Sequence, residues 1–149
     1  MGVAVMVGVA VTMGVAVIMG VAVERSRCMK EQFAIDTTAI EWEKDWSDGN
    51  QKFLFNKYLV LDEETGVKIK QMIYPKGFNT RWHTHPCSHG IYVLRGRLKT
   101  DKGVYGPGSF VWFPEGVLAE HGSTDEEDVE VLFITNKTFD IYFQDGGVV

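Results

Sequence analysis

The 149-residue chain has few cysteines and no excess of basic residues, which disulfide-rich, zinc-binding and DNA-binding small proteins require. Its two cysteines, Cys28 and Cys87, cannot build a disulfide framework, and they form no CxxC pair for a structural zinc site. Acidic side chains outnumber basic ones by 20 to 15, and the net charge of −5 argues against binding to duplex nucleic acid. We therefore expect a small, mildly acidic globular domain without a nucleic-acid partner.

The first 23 residues contain no charged and no aromatic side chain, and Gly-Val-Ala-Val recurs there four times with a period of six residues. Three interpretations of this stretch remain open. It is a membrane anchor, a signal peptide, or a repeat expansion ahead of a true start at Met29. The stretch is long enough to span a bilayer, but it is rich in glycine and lacks an initial positive charge. We treat residues 1–28 as a head that is disordered or not native, and residues 29–149 as a single domain. A membrane is a partner only if the head is a genuine anchor, and otherwise we expect a cytoplasmic protein.

After the head, turn residues separate short apolar runs, a pattern that predicts β-structure. Residues 67–73 begin with alternating apolar and charged side chains, as in a half-buried strand. Residues 35–46 suit either a short helix or an irregular edge segment, and no later segment keeps a helical period. The other apolar runs are 53–61, 91–94, 109–113, 130–135 and 139–143. Many short strands at this spacing predict an all-β sandwich or barrel.

The four histidines are the main candidates for chemistry. His83 and His85 stand two apart on a predicted strand, so their side chains point to the same face. His89 follows where the chain bends toward the next strand, and His121 comes after a Pro-Glu-Gly turn. A lone histidine is usually structural, but a His-X-His pair with two further histidines predicts a transition-metal site, because neutral imidazole is a common ligand.

The spacing around the first three histidines resembles the first motif of the cupin family. Gly77 is followed after five residues by His83 and His85, after three more by His89, and after six more by Gly96. The family pattern has the same intervals, with glutamate as its third ligand. His89 therefore stands where most cupins place that glutamate.

A second cupin motif is recognisable further along the chain. Gly108 is followed after five residues by Pro114, Glu115 and Gly116, and then by His121. Four residues separate Gly116 from His121 where the family has two, and the usual asparagine is absent. Glu115 and Glu120 remain alternative ligands. The resemblance covers about residues 53–143 and implies a double-stranded β-helix, the jelly-roll or cupin barrel.

The resemblance implies one divalent transition metal ion per chain, held by His83, His85, His89 and His121. Iron or manganese is favoured, and zinc, nickel or copper remains possible. Four neutral imidazoles leave a divalent ion at +2, whereas a carboxylate would lower that charge, so the site should attract anionic ligands. The chain is similar to small four-histidine cupins and, more loosely, to acetylacetone-type dioxygenases.

Three functions follow as hypotheses. The first is an oxygenase acting on a small carbonyl or enol compound, either diketone-like or aromatic. The second is a non-redox metal lyase or isomerase, and the third is a non-catalytic cupin that senses a metal or ligand. Fold resemblance alone does not choose among them, because cupin functions are diverse.

Neighbouring residues give further candidates. Arg81 shares the parity of His83, so it is either an anion-binding group at the cavity mouth or a surface arginine, and Tyr92 is either an acid–base group or a packing residue. The same parity places Ile91 and Val93 in the interior. Either Phe110 with Trp112 or Val111 with Phe113 should join them, Cys87 is expected to be a small buried residue, and Trp42 and Trp46 are expected at an open barrel end or a dimer face. Cupins commonly pair through sheet edges, so the resemblance also implies a homodimer.

Overall fold

The computed structural model describes residues 16–17 and 31–144. The predicted head therefore lies outside the described residues except for strand β1 (Ala16–Val17), which pairs in parallel with β2 (Phe33–Ala34). The segment 35–46 combines the two forms left open by its sequence. It contains a 3₁₀ turn at Thr37–Ala39, capped by Asp36, and runs into strand β3 (Glu43–Ser47).

The rest of the described chain is built from short strands. They are β4 (Lys52–Leu61), β5 (Lys68–Tyr74), β6 (His83–Thr84), β7 (His89–Arg95), β8 (Leu98–Thr100), β9 (Gly103–Tyr105), β10 (Phe110–Phe113), β11 (His121–Ser123), β12 (Val129–Thr135) and β13 (Tyr142–Phe143). Residues 31–144 contain no α-helix, so the all-β prediction is confirmed.

The strands form one large sheet and smaller ones. The large sheet has six antiparallel strands in the order β10-β7-β12-β5-β4-β3, so β10 and β3 are its edges. A three-stranded sheet, β11-β8-β9, and a two-stranded sheet, β13-β6, are also antiparallel. The strands β6, β7 and β11 belong to three different sheets. Each of them carries a buried histidine.

The hydrophobic core joins the large sheet to the smaller ones. Ile91, Val93 and Val131 are fully buried on the large sheet, and Leu98 is fully buried on β8. Each such side chain contributes about 1.5–3 kcal/mol relative to an exposed one. The prediction for Ile91 and Val93 is therefore confirmed, and on β10 the interior pair is Val111 with Phe113 while Phe110 and Trp112 are exposed.

Strand β5 is oriented in an unexpected way. An alternating strand usually buries its apolar half, which here would turn Ile69 and Ile73 inward. In the structure Lys70 pairs with the buried Phe133 and shares a face with the buried Met72. The lysines of β5 therefore face the interior of the barrel, and its isoleucines face outward.

The two N-terminal tryptophans lie on the outside of the large sheet. The ammonium group of Lys57 lies 4.5 Å from the centre of the Trp42 ring. Trp46 is 47% exposed, packs edge-on against Phe53 at 4.7 Å, and lines an open groove of about 460 Å³. No histidine lines this groove.

Gly96 shows that one motif glycine has a steric reason. It lies in the turn between β7 and β8 with φ of +75°, a conformation that other residues rarely adopt. A Cβ atom there would also collide with the carbonyl oxygen of Asp128. Both the backbone conformation and the available space therefore require glycine.

We predict that Gly96→Ala lowers the free energy of unfolding by about 2–4 kcal/mol, because it combines a disfavoured backbone conformation with overpacking. Urea denaturation would measure this loss. Gly106→Ala is the matched control, since a Cβ at Gly106 meets no atom within 4 Å. Equal stability losses in the two variants would contradict the steric explanation.

Candidate metal centre

Backbone hydrogen bonds bring the two distant histidine segments together. The amide of His83 donates to the carbonyl of Ala119 and the amide of Ala119 donates back, each at 3.1 Å. The amide of Thr80 donates to the carbonyl of His121, and the amide of His121 donates to the Thr80 hydroxyl, each at 2.9 Å. The loop before β6 is thereby bound along the approach to β11, which places His83 beside His121.

Three imidazoles converge in the interior. His83, His85 and His121 each offer a ring nitrogen, and these nitrogens lie within 4.8 Å of one another. The three side chains are 1%, 6% and 3% exposed, so water is largely excluded from them. A single ion could contact all three nitrogens at ordinary metal–nitrogen distances of about 2 Å.

The hydrogen bonds of His83 and His85 select the nitrogen that faces the centre. Nδ1 of His83 lies 2.7 Å from the carbonyl oxygen of Arg81, and Nδ1 of His85 lies 2.5 Å from that of Asp140. A carbonyl can only accept, so each Nδ1 carries the proton and each Nε2 keeps its lone pair. In metal sites, a backbone carbonyl that accepts from one ring nitrogen commonly orients the other nitrogen toward the ion.

His89 lies beside this group but outside it. Its ring is 4.6 Å from the ring of His85 and 5.9 Å from that of His121. It also packs against Phe113 at 4.7 Å and Phe133 at 5.0 Å. Its nitrogens do not join the three that converge within 4.8 Å, so its role as a fourth ligand stays a prediction.

The donor chemistry fits a transition metal. Five buried ring nitrogens have no hydrogen-bond partner within the described part of the chain: one on His85, two on His89 and two on His121. An orphaned buried polar group costs about 1–3 kcal/mol, and a metal ion bound to one nitrogen of each ring would offset part of that cost. Imidazole nitrogen suits iron, zinc, copper and nickel.

Burial keeps the four histidines neutral. Desolvation lowers the pKa of His83, lowers that of His85 to about 4, and lowers that of His121 well below the ordinary value. Desolvation, with smaller contributions from His85 and His83, lowers the pKa of His89 to about 3. Neutral imidazole is the form that binds metals, so the site has this form at neutral pH.

The remaining predicted site residues lie further out. Arg81 is exposed, donates from Nη1 to the carbonyl of Gly49 at 3.0 Å, and stacks over the Phe143 ring. Its carbonyl oxygen lies 2.7 Å from Nδ1 of His83. Tyr92 is 39% exposed on the opposite face of β7 from His89, so the structure does not bring it to the histidines.

The alternative carboxylate ligands have other partners. Glu115 is exposed and pairs with Lys137 at 2.8 Å, and Glu120 accepts from the side-chain amide of Asn79 at 3.0 Å.

Cys87 is completely buried, and burial is the main cause that raises the pKa of its thiol. It has the properties of a structural residue.

A family model for the ChrR cupin-like domain matches residues 30–140. The chain belongs to this family. The match extends over the histidine-bearing strands β6, β7 and β11, and no curated protein is significantly similar to the chain.

Solved structures support the cupin fold. A cupin-like protein from Thermotoga maritima is 22% identical, with a TM-score of 0.62 over 73% of this chain and 89% of its own. The polyketide cyclase RemF from Streptomyces resistomycificus is 16% identical, with a TM-score of 0.61 over 76% and 86% of the two chains. A candidate dioxygenase from Nostoc punctiforme is 16% identical, with a TM-score of 0.66 over 73% and 40%. The jelly-roll barrel prediction is confirmed. Within the described residues of this cupin, no helix is long and apolar enough to cross a membrane.

Sequence reasoning missed the lysines in the barrel interior. Lys70 is partly buried, and its ammonium group lies 5.5 Å from the centre of the Phe133 ring and 5.7 Å from that of Tyr58. Lys68 and Lys70 alternate in step with Met72 and Tyr74, and this pattern could have placed them on the buried face. The isoleucines of β5 supported the opposite orientation. Desolvation, followed by repulsion from Lys68, lowers the pKa of Lys70 to about 8.

This lowered pKa predicts a pH dependence of stability. Since the unfolded chain holds the Lys70 proton more tightly than the folded protein, the free energy of unfolding should rise with pH. The rise attributable to Lys70 is about 2 kcal/mol between about pH 7.5 and about pH 9.5. Urea denaturation across this range would detect it, and Lys70→Met should lack it. An identical pH dependence in both proteins would show that Lys70 is not desolvated.

Proposed function

We propose that this cupin holds one divalent transition metal ion per chain and acts as an oxygenase on a small carbonyl or enol compound. The observation that carries the proposal is the convergence of His83, His85 and His121 in a buried centre. Buried neutral imidazoles with unpartnered nitrogens are costly unless they serve as ligands. The histidine cluster is therefore better explained by metal binding than by packing.

The chain's own residues define what such a centre could do. His83, His85 and His121 would hold the ion, with His89 as a fourth ligand beside them. A bound iron or manganese ion would supply a Lewis acid for a substrate oxygen and a redox partner for dioxygen. An all-imidazole ligand set leaves the charge of the ion undiminished, which favours an anionic substrate oxygen.

Aromatic side chains surround the histidines and suit an apolar, planar substrate. Phe139 lies 4.6 Å from the His85 ring, and Phe133 lies 5.0 Å from the His89 ring. These two phenylalanines also contact each other edge-on at 5.4 Å. Their surface excludes water and offers no hydrogen bonds, so polar recognition must come from other groups.

Two structural neighbours support different versions of the proposal. The Nostoc protein described as a candidate dioxygenase supports oxygenase chemistry on this fold. RemF, a polyketide cyclase, supports the alternative of a non-redox enzyme acting on carbonyl compounds. A non-catalytic metal or ligand sensor is the third candidate. Oxygen consumption separates the first from the other two.

We predict that the purified protein contains about one iron or manganese ion per chain. His83→Ala, His85→Ala and His121→Ala should each reduce metal content at least about tenfold, since each removes one of the converging ligands. Mass spectrometry of the metal content would measure occupancy, and an oxygen electrode would test turnover of acetylacetone and aromatic ketones. His89→Ala decides whether the fourth histidine is a ligand.

Full metal occupancy in His121→Ala would contradict the proposed ligand set. Bound metal without oxygen consumption, but with conversion of a ketone, would replace the oxygenase with the lyase or isomerase. Bound metal without conversion of any compound would favour the sensor.

We also propose that the protein is a homodimer formed through an outer patch of the large sheet. This patch consists of Tyr92, Leu94, Phe110 and Trp112, which are 39%, 41%, 56% and 50% exposed. It exposes roughly 300–400 Å² of apolar surface, about the size of the largest patch on a typical monomer. A stable interface needs about 800 Å² per partner, so the patch would form the centre of such an interface.

Phe110 and Trp112 of the patch lie on edge strand β10, whose outer side pairs with no strand in the described part of the large sheet. A second copy fits because a two-fold contact would cover both apolar patches and both edges together. A Cβ at Gly90 would collide with the Phe110 ring, so glycine leaves room for this aromatic side chain to lie across β7.

We predict a dimer in sedimentation experiments and a monomer for Trp112→Lys, because a charge at the centre of an apolar interface is costly. Val104→Lys is the control, since Val104 is 52% exposed on β9, away from the patch. A dimer that survives Trp112→Lys, or a monomeric unsubstituted protein, would contradict the proposed interface.

A further inference from the structure

Two lysines lie next to an aromatic wall in the barrel interior. This wall consists of Phe133 and Phe139. Lys68 and Lys70 stand on β5, on the same face as the buried Met72 and Tyr74. Both side chains are partly buried, although lysines usually keep their ammonium groups in water. Their position therefore calls for an explanation beyond folding.

Each lysine is linked to a histidine through one phenylalanine. The Lys70 ammonium group lies 5.5 Å from the centre of the Phe133 ring, which packs on His89 at 5.0 Å. The Lys68 ammonium group lies 5.2 Å from the centre of the Phe139 ring, and that ring packs on His85 at 4.6 Å. The two lysines and the histidine cluster thus border the same aromatic wall.

No carboxylate neutralises these lysines directly. Within residues 31–144, neither ammonium group forms an ion pair or a hydrogen bond. Asp45 acts electrostatically on Lys70, but its carboxylate already accepts from the Asn56 side chain at 2.6 Å and from the Tyr58 hydroxyl at 3.0 Å. One carboxylate that is already hydrogen-bonded leaves the two lysines with an excess of positive charge.

A partly buried ammonium group without a carboxylate partner is destabilising, and an anion bound beside it would reduce that cost. The two phenylalanines have no polar side-chain atoms. The lysines beside them therefore supply the charge that could orient a substrate. Two cations on one strand attract a carboxylate or phenolate more strongly than a neutral carbonyl.

We infer that Lys70, assisted by Lys68, is a specificity-determining residue that binds an anionic oxygen of the substrate. The substrate class is thereby narrowed to small aromatic or diketone-like compounds that carry a carboxylate or phenolate. This inference rests on the proposed function, since it assumes that the histidine-lined interior is where the substrate binds. Lys70 would act as a positioning group, apart from the metal ligands.

The protonation of Lys70 agrees with this role. Its pKa of about 8 leaves it mostly protonated at neutral pH and mostly neutral above about pH 9.5. The groups that face it are Lys68 on its own strand, Asp45 on β3 and Tyr58 on β4, while β12 contributes the uncharged Phe133. Binding of an anion should therefore weaken as pH rises through about 8.

The experiment compares benzoate with its neutral counterpart benzamide, using calorimetry on the protein as purified. We expect benzoate to bind the unsubstituted protein more tightly than benzamide. Lys70→Met should weaken benzoate binding at least about tenfold and leave benzamide binding unchanged, because it removes the charge and keeps the apolar stem. Lys99→Met is the matched control, as Lys99 is exposed on β8.

Unchanged benzoate affinity in Lys70→Met would overturn the inference, as would an equal loss in Lys99→Met. If Lys70→Met does not fold, the unsubstituted protein still provides the test. Its benzoate affinity, corrected by that of benzamide, should fall about tenfold between about pH 7 and about pH 10, and a constant affinity would overturn the inference. Metal content is measured on the same samples. A metal-free protein that keeps the lysine effect would reject only the proposed function, whereas a metal-containing protein without it would reject only the lysine assignment.

Discussion

The candidate centre depends on the backbone ladder between the loop before β6 and the approach to β11. Reciprocal hydrogen bonds at 3.1 Å join His83 and Ala119, and the Thr80 hydroxyl holds the amide of His121. Gly122 lets the two segments approach this closely, because a Cβ there would collide with the Phe78 carbonyl. These contacts bring together histidines that are far apart in the sequence, and the other site residues are arranged around them.

The barrel interior combines groups that would each be unfavourable on their own. Neutral histidines with orphaned nitrogens lie on one side of a phenylalanine wall, and lysines without a direct carboxylate partner border the same wall. Buried polar groups of this kind reduce stability unless a ligand satisfies them. A metal ion would satisfy the histidines, and an anionic substrate would satisfy the lysines. The proposed function would therefore account for both kinds of group, with a metal and an anion bound side by side.

The sequence predicted much of this arrangement, for identifiable reasons. Motif spacing located His83, His85 and His121, because two-residue parity and a fixed turn leave little freedom for their side chains. The same parity placed Ile91 and Val93 in the core, where the structure has them. Cys87 is also buried, as its sequence position predicts. Strand β5 could not be oriented in this way. Its alternation favours burying the isoleucines, but the pairing of Lys70 with Phe133 and the burial of Met72 show that the lysine half faces inward. Tyr92 was a weaker candidate, since its own parity opposes that of His89.

X-ray absorption spectroscopy at the metal edge would test the metal centre, since it reports the atoms bound to the ion in the intact protein. We expect about one transition metal ion per chain, with at least three imidazole nitrogens at about 2.1 Å and the outer-shell scattering of imidazole rings. His121→Ala should remove one imidazole from that shell or lose the ion. A protein that binds no metal stoichiometrically, or a shell dominated by sulfur or carboxylate oxygen, would contradict the assignment of the histidine cluster as a metal centre.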